Sequence, residues 1–200
     1  MIVFAKVPEA GRVKTRLAAS IGDDAAVAAY RRLAEETFRQ LPRSADVWVS
    51  YAPGTSEAED KMREWLGPIF PVGRWLPQVD GGLGDRLEDA CRAGFKEGAR
   101  QVTVIGTDCI GLDAEVFGQI DPEADVYYVP ANDGGYVLAT LQNESAIAVF
   151  HGIRWSTEHV LNDSIAAAKN AGLTVAVSPL ALEDVDTESE WRKAEKALTK

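Results

Sequence analysis

The chain has 200 residues, 46% of them apolar, and a formal net charge of −10 from 31 acidic and 21 basic side chains. That apolar share fills one core and excludes the charged, aromatic-poor composition of a disordered chain. The acidic average repels phosphate backbones, so no nucleic-acid partner is expected, although a small phosphorylated ligand remains compatible with a local basic patch.

Taken in chain order, Ile2–Ala5 reads as a short apolar strand. It enters at once, with no basic leader or cleavage motif, and no later run approaches the roughly 20 apolar residues that span lipid. No membrane span is therefore expected. The loop Gly11-Arg12-Val13-Lys14-Thr15-Arg16-Leu17 follows, and it is basic in an acidic chain. Tyr30, Leu33, Ala34, Thr37, Phe38 and Leu41 recur at helical spacing and predict a helix over Asp24–Leu41, with a strand over Asp46–Tyr51 after it. A helix near Ser56–Leu66 leads into the proline-rich, tryptophan-containing stretch Pro68–Pro77. Leu83, Leu87, Ala90, Cys91, Gly94 and Phe95 then mark another amphipathic helix, ended by Gly98.

Val102-Thr103-Val104-Ile105-Gly106 is β-rich without alternation, as expected of a central strand covered on both faces. It delivers Thr107 and Asp108 at its carboxyl end, where open α/β sheets bind ligands. A short helix near Ala114–Gln119, a strand over Ala124–Pro130, a tight turn at Asp133-Gly134-Gly135 and a strand over Tyr136–Leu141 come next. Thr157 is placed to cap a helix running to about Ala171, Leu173–Val177 resumes strand character, and Thr187 with Glu190 forms a capping-box pattern ahead of a terminal helix over Ser189–Leu198. The alternation predicts a single α/β domain over residues 1–200, three-layered and Rossmann-like with a mostly parallel sheet. The closely spaced strands around Asp133 predict an antiparallel addition.

Chemistry concentrates in a few places. Lys14 offers a mobile point charge and Arg16 a planar fork of donors, a division of labour that suits a diphosphate or triphosphate, although a short basic loop can also be a solvated connection. Asp108 suits a hard cation shared with substrate phosphate, or else an acidic helix cap. Asp133-Gly134-Gly135-Tyr136 can fit a sugar or phosphate closely or be an ordinary hairpin turn. Asp184 and Asp186 can add a second carboxylate. In Gly81-Gly82-Leu83-Gly84-Asp85-Arg86, Arg86 can reach a phosphate, or the segment is simply a glycine-rich helix entry. Trp75 and Trp155 are candidate pocket walls, and His151 could line a pocket. Cys91 and Cys109 are the whole cysteine complement. They form no Cys-X-X-Cys pair, which fits a reducing cytoplasm, and Cys109 reads as a buried apolar residue.

In order, Phe4-Ala5-Lys6-Val7-Pro8-Glu9-Ala10-Gly11-Arg12-Val13-Lys14-Thr15-Arg16-Leu17, Gly106-Thr107-Asp108-Cys109, Pro130-Ala131-Asn132-Asp133-Gly134-Gly135-Tyr136, Trp155-Ser156-Thr157 and Asp184-Val185-Asp186-Thr187 resemble an uncharacterised bacterial branch of the GT-A-like nucleotide-diphospho-sugar transferase superfamily. The chain departs from related motifs by carrying Ile110 after Asp108-Cys109, and by lacking both a glycine-rich first loop and an Asp-X-Asp at the end of the central strand.

The resemblance implies a GT-A-like fold with a nucleotide at the carboxyl edge of its sheet and metal contact through Asp108. With the residue reading it gives an expected site. Asp108 and Asp133 are catalytic, Asp108 and Asp186 hold Mg2+ or Mn2+, and Lys6, Gly11, Lys14, Thr15, Arg16, Arg86, Gly134 and Gly135 contact the nucleotide. The expected activity is a metal-assisted glycosyltransferase taking a nucleotide-sugar and a small-molecule acceptor. Alternatives are a nucleotidyltransferase that releases pyrophosphate from a nucleoside triphosphate, and a non-catalytic nucleotide-binding sensor.

Overall fold

A computed structural model describes residues 1–199. Its framework follows from the apolar runs. The first strand, β1 (Ile2–Lys6), sends Val3 and Ala5 to one face of the sheet and Ile2 to the other, and all three are buried. Side chains of period two that are apolar on both sides need a helix layer above and below, and both layers are present.

The chain continues through α1 (Thr15–Ile21), α2 (Asp23–Gln40), β2 (Trp48–Ala52), α3 (Ser56–Leu66), β3 (Arg74–Pro77), α4 (Leu83–Lys96), β4 (Val102–Ile105) and α5 (Ala114–Gly118). It ends with β5 (Val126–Pro130), β6 (Tyr136–Leu141), a 3₁₀ segment (Glu144–Phe150), α6 (Val160–Asn170), β7 (Val175–Val177) and α7 (Glu188–Ala197). Among the described residues the sheet has seven strands in the order β3-β2-β1-β4-β6-β5-β7. The pairs β3–β2, β2–β1, β1–β4 and β5–β7 are parallel, and only β6 runs against its neighbours. This is the mixed, mostly parallel α/β sheet expected of a GT-A-like fold, with the antiparallel strand where the closely spaced runs predicted it.

One face carries Tyr30, Ala34 and Phe38 of α2 and Met62, Trp65 and Leu66 of α3, packed on Val49, Tyr51, Ile105 and Val129. The other carries Leu87, Ala90 and Cys91 of α4, Ile147 and Phe150 of the 3₁₀ segment and Ala168 of α6, packed on Val104, Ala139 and Leu141. A third cluster joins Leu17, Ala26, Ala29 and Leu33 to Val185, Trp191 and Ala194. It matters most for the site. Leu17 is fully buried there, and burying a leucine contributes roughly 2 kcal/mol, so the start of α1 is anchored to the chain just before α7.

Three elements differ from the sequence reading. Thr15–Ile21 is helical rather than loop, Arg74–Pro77 is an edge strand, and Glu144–Phe150 is a 3₁₀ segment. The helix expected from Thr157 begins later, at Val160. The Thr157 hydroxyl accepts the His159 N–H at 3.2 Å and donates to the Arg154 carbonyl at 2.7 Å, so it stiffens the turn before the helix. The capping box on α7 is formed as expected, with Thr187 accepting from the Glu190 N–H and Glu190 accepting from the Thr187 N–H.

Candidate functional site

Parallel strands bring their carboxyl ends to one edge, and the reversed β6 brings its start there too. Lys6 at the end of β1, Thr107-Asp108 after β4 and Asp133 and Gly135 before β6 therefore open onto one cleft of about 880 Å³. Tyr30 clasps two of these strand ends. Its hydroxyl accepts the Lys6 N–H at 2.8 Å and lies 3.3 Å from the Thr107 Oγ1. Burial, with Asp108 nearby, holds the Tyr30 phenol proton firmly by raising its pKa. The periodic apolar pattern of α2 marked Tyr30 as core; nothing in that pattern showed its polar end reaching the cleft.

The basic loop closes over the same cleft. Gly11 takes a positive φ of 73° that turns the loop, and Lys14 takes a left-handed φ of 46° immediately before α1. A residue with a Cβ is held in this region at a cost of about 1–2 kcal/mol, and such strain collects at functional sites. The Lys14 side chain is only 2% exposed, and its Nζ lies 3.2 Å from Asp108 Oδ1 and 3.2 Å from Asp186 Oδ1. Arg16 reaches the other oxygen of Asp186 at 3.4 Å while staying 79% exposed.

Asp184 and Asp186 reach the cleft because Val185 between them does not. Val185 is buried with Leu17 and Trp191, its N–H donates to the Asp108 carbonyl at 2.9 Å, and Cys109 pairs with Asp184 as an antiparallel bridge. Extended backbone alternates its side chains, so burying Val185 turns both neighbours toward Asp108. Burial pushes the Asp184 carboxyl up to about 7, helped by Asp133, Asp108 and Asp186 and opposed by Lys14. The cleft is thus short of positive charge around its acids.

On the far wall, Asp133 is oriented by an Asx turn in which the Gly135 N–H donates to its Oδ1 at 2.9 Å. The turn is docked rather than free. Gly134 has a φ of 89°, a Cβ there would overlap the Glu158 carbonyl, and the Gly134 carbonyl accepts the Leu161 N–H at 3.0 Å. Trp155, Ser156 and Glu158 complete this wall, with Ser156 in a left-handed φ of 62°. Arg86 enters from α4, donating to Gln78 Oε1 at 3.2 Å with its Nε buried and without a partner.

Of the expected residues, Lys6, Lys14, Arg16, Arg86, Asp108, Asp133, Gly135 and Asp186 line the cleft. Gly11, Thr15 and Gly134 are not among the lining residues. Gly11 shapes the loop, Thr15 is the exposed first residue of α1, and Gly134 packs on the backbone beneath Glu158. Trp155 is a cleft wall as expected, whereas Trp75 lies on β3 under the Arg63 guanidinium. His151 pairs with Glu88 at 2.8 Å outside the cleft, and Cys109 is buried. A second cavity of about 380 Å³ lies at the opposite sheet edge around Met1, Trp48 and Ile120, and its lining carries a single carboxylate, Asp46.

The residues fit a hard divalent cation in a limited way. Among the described residues no three His, Cys, Asp or Glu side chains converge as a closed cage. Magnesium is commonly held by one or two carboxylates with substrate phosphate supplying the rest. Asp108 and Asp186, brought together on one ammonium, provide such a pair.

A family model described as an uncharacterized protein conserved in bacteria (DUF2064) matches residues 37–157. The chain belongs to this family. No curated protein matches this DUF2064 chain in sequence. Among solved structures it is similar to a Desulfovibrio desulfuricans G20 protein assigned to the nucleotide-diphospho-sugar transferases, with 29% identity, a TM-score of 0.84, and coverage of 98% of this chain and 95% of that one. A nucleoside-diphosphate-sugar pyrophosphorylase from Vibrio cholerae RC9 shares the fold at 13% identity and a TM-score of 0.62, over 96% and 98% of the two chains. So does a mannosyltransferase from Pyrobaculum calidifontis in complex with GDP-Man and Mn2+, at 12% identity and a TM-score of 0.57, over 96% of this chain and 59% of that one. The DUF2064 chain is thereby placed in a superfamily of transferases. No helix among its described residues is long and apolar enough to cross a membrane.

Proposed function

We propose that the protein transfers a sugar from a nucleotide diphosphate donor to a small-molecule acceptor, assisted by Mg2+ or Mn2+. One observation carries the reading: a buried lysine from the basic loop meets Asp108 and Asp186 in the cleft at the sheet's carboxyl edge. Lys14 and Arg16 bind the diphosphate, and Lys6 and Arg86 add donors along the cleft. Asp108 and Asp186 would hold the cation, whose chemistry when bound is to neutralise charge on the departing nucleoside diphosphate. Asp133 faces the acceptor. As the acceptor oxygen bonds to the anomeric carbon and the carbon–oxygen bond to the diphosphate breaks, Asp133 takes the hydroxyl proton.

The cleft is lined by Lys6, Lys14, Arg16 and Arg86 against Asp108, Asp133, Glu158, Asp184 and Asp186. Four basic side chains and a divalent cation suit a diphosphate donor and a triphosphate alike, so the products decide between the two reactions. Product analysis tests the assignment. A panel of nucleotide-sugars and acceptors is expected to yield nucleoside diphosphate and a glycosylated acceptor. Pyrophosphate with a nucleotide-linked product would establish nucleotidyl transfer instead, and nucleotide-stabilised melting without any turnover would establish a sensor.

A further inference from the structure

Lys14 has more restraint than phosphate binding alone requires. A lysine ordinarily carries its ammonium to water on a flexible stem, yet this side chain is 2% exposed while the carboxylates it bridges, Asp108 and Asp186, are 52% and 45% exposed. The acids can be reached from the cleft; the lysine is behind them. Its backbone is held left-handed at φ 46°, and the helix that follows is anchored by the fully buried Leu17, so the ammonium is aimed by the fold rather than by chance of rotamer. One buried positive charge then stands among Asp108, Asp133, Asp184 and Asp186, with only the exposed Arg16 on the outer oxygen of Asp186 beside it, where a divalent ion would neutralise twice as much as the ammonium does.

Resting on the reading of the cleft given above, we propose that Lys14 is an internal counter-cation that keeps the Asp108–Asp186 pair closed to a divalent ion until a polyphosphate draws its ammonium away. A divalent ion bound to both carboxylates has to displace an ammonium lying 3.2 Å from each. The displaced charge needs a new partner, and phosphate oxygens in the cleft supply it. Cation and polyphosphate therefore raise each other's affinity by the same factor, as linkage requires. The Asp108–Asp186 pair thus keeps a positive partner when the cleft is empty, and the metal enters together with the donor. Arg16 does not serve this purpose, because at 79% exposure it can reach a phosphate without leaving a buried position.

The test is calorimetric titration of Mn2+ alone into the full chain, comparing wild type with Lys14→Met, which keeps the apolar stem and removes the charge. Lys14→Met is expected to bind Mn2+ at least about tenfold more tightly, a difference of about 1.4 kcal/mol, and Lys14→Met/Asp108→Asn is expected to lose that gain. Thermal melts provide a second readout should the variant be poorly folded. Saturating Mn2+ should raise the melting temperature of Lys14→Met by more than it raises that of wild type. Equal or weaker Mn2+ binding by Lys14→Met, or equal melting shifts, overturns the counter-cation role while leaving the donor site standing. Nucleotide-dependent Mn2+ binding that is unchanged by Asp108→Asn in the wild-type background overturns both.

Discussion

Asp108→Asn is expected to lower metal-dependent turnover by at least about tenfold, the equivalent of roughly 1.4 kcal/mol in the barrier, with the chain still folded. The geometry separates activity from stability here. The Asp108 side chain is 52% exposed, and the structural bond at this position is made by its backbone carbonyl, which accepts the Val185 N–H and is untouched by the substitution. Lys14 keeps Asp186 as a partner. The amide retains the shape of the carboxylate and loses the charge that a hard cation requires. Steady-state kinetics across a Mg2+ or Mn2+ titration, with melting curves on the same samples, are the measurement. Kinetics indistinguishable from wild type at every metal concentration would remove Asp108 from the metal site.

Asp184→Asn is expected to act in the opposite sense, stabilising the ligand-free protein at pH 8 by about 2 kcal/mol, or about 5 °C in melting temperature. Its carboxyl has a folded pKa of about 7 against an ordinary value of 3.8, so the folded state holds the proton more tightly than the unfolded chain does. Stability from this group is fully present below about pH 4 and is lost as pH rises through about 7. Each unit by which the carboxyl is raised corresponds to about 1.4 kcal/mol of charging cost, which is ample for a gain of this size. An amide never ionises, so the gain over wild type should be large at pH 8 and near zero at pH 4. A shift of equal size at both pH values, or none at pH 8, would show that Asp184 ionises freely in the fold. Keeping an acid at such a cost beside three other carboxylates is characteristic of a site shaped for a positively charged or metal-bridged ligand rather than for stability.

How far the sequence discloses this arrangement depends on the range of the interaction. Val102–Ile105 reads directly as a central strand because its apolar run has no alternation, and Thr107 and Asp108 then fall at a carboxyl edge by chain direction alone. The closely spaced strands around Asp133 likewise announce the antiparallel β6. Short elements are less legible. Thr15–Ile21 has one fully buried side chain, Leu17, and no capping side chain to mark its start. Arg74–Pro77 is a four-residue edge strand among prolines, where a missing N–H is tolerated only because one side of the strand is unpaired.

Within the site, the residue types were legible and their partners were not. The loop sequence shows a lysine and an arginine, but the contact of Lys14 with Asp186 spans 172 positions and depends on Val185 burying against Leu17 and Trp191. The left-handed backbones of Lys14 and Ser156 also leave no trace, since neither is a glycine or an asparagine. Gly134 is the converse. Its glycine signalled close approach correctly, and the Glu158 backbone is the group that approaches.

A polyphosphate is expected to lie between the early basic loop and the carboxylate leaving β4. A crystal structure with Mn2+ and a nucleoside diphosphate, with the metal located by its anomalous scattering, tests it most directly. Manganese should sit with Asp108 and Asp186 in the presence of the diphosphate, with Lys14 Nζ withdrawn from both acids onto phosphate oxygens. A nucleotide bound away from Lys14 and Asp108, or manganese bound elsewhere with the Lys14 contacts intact, would contradict it.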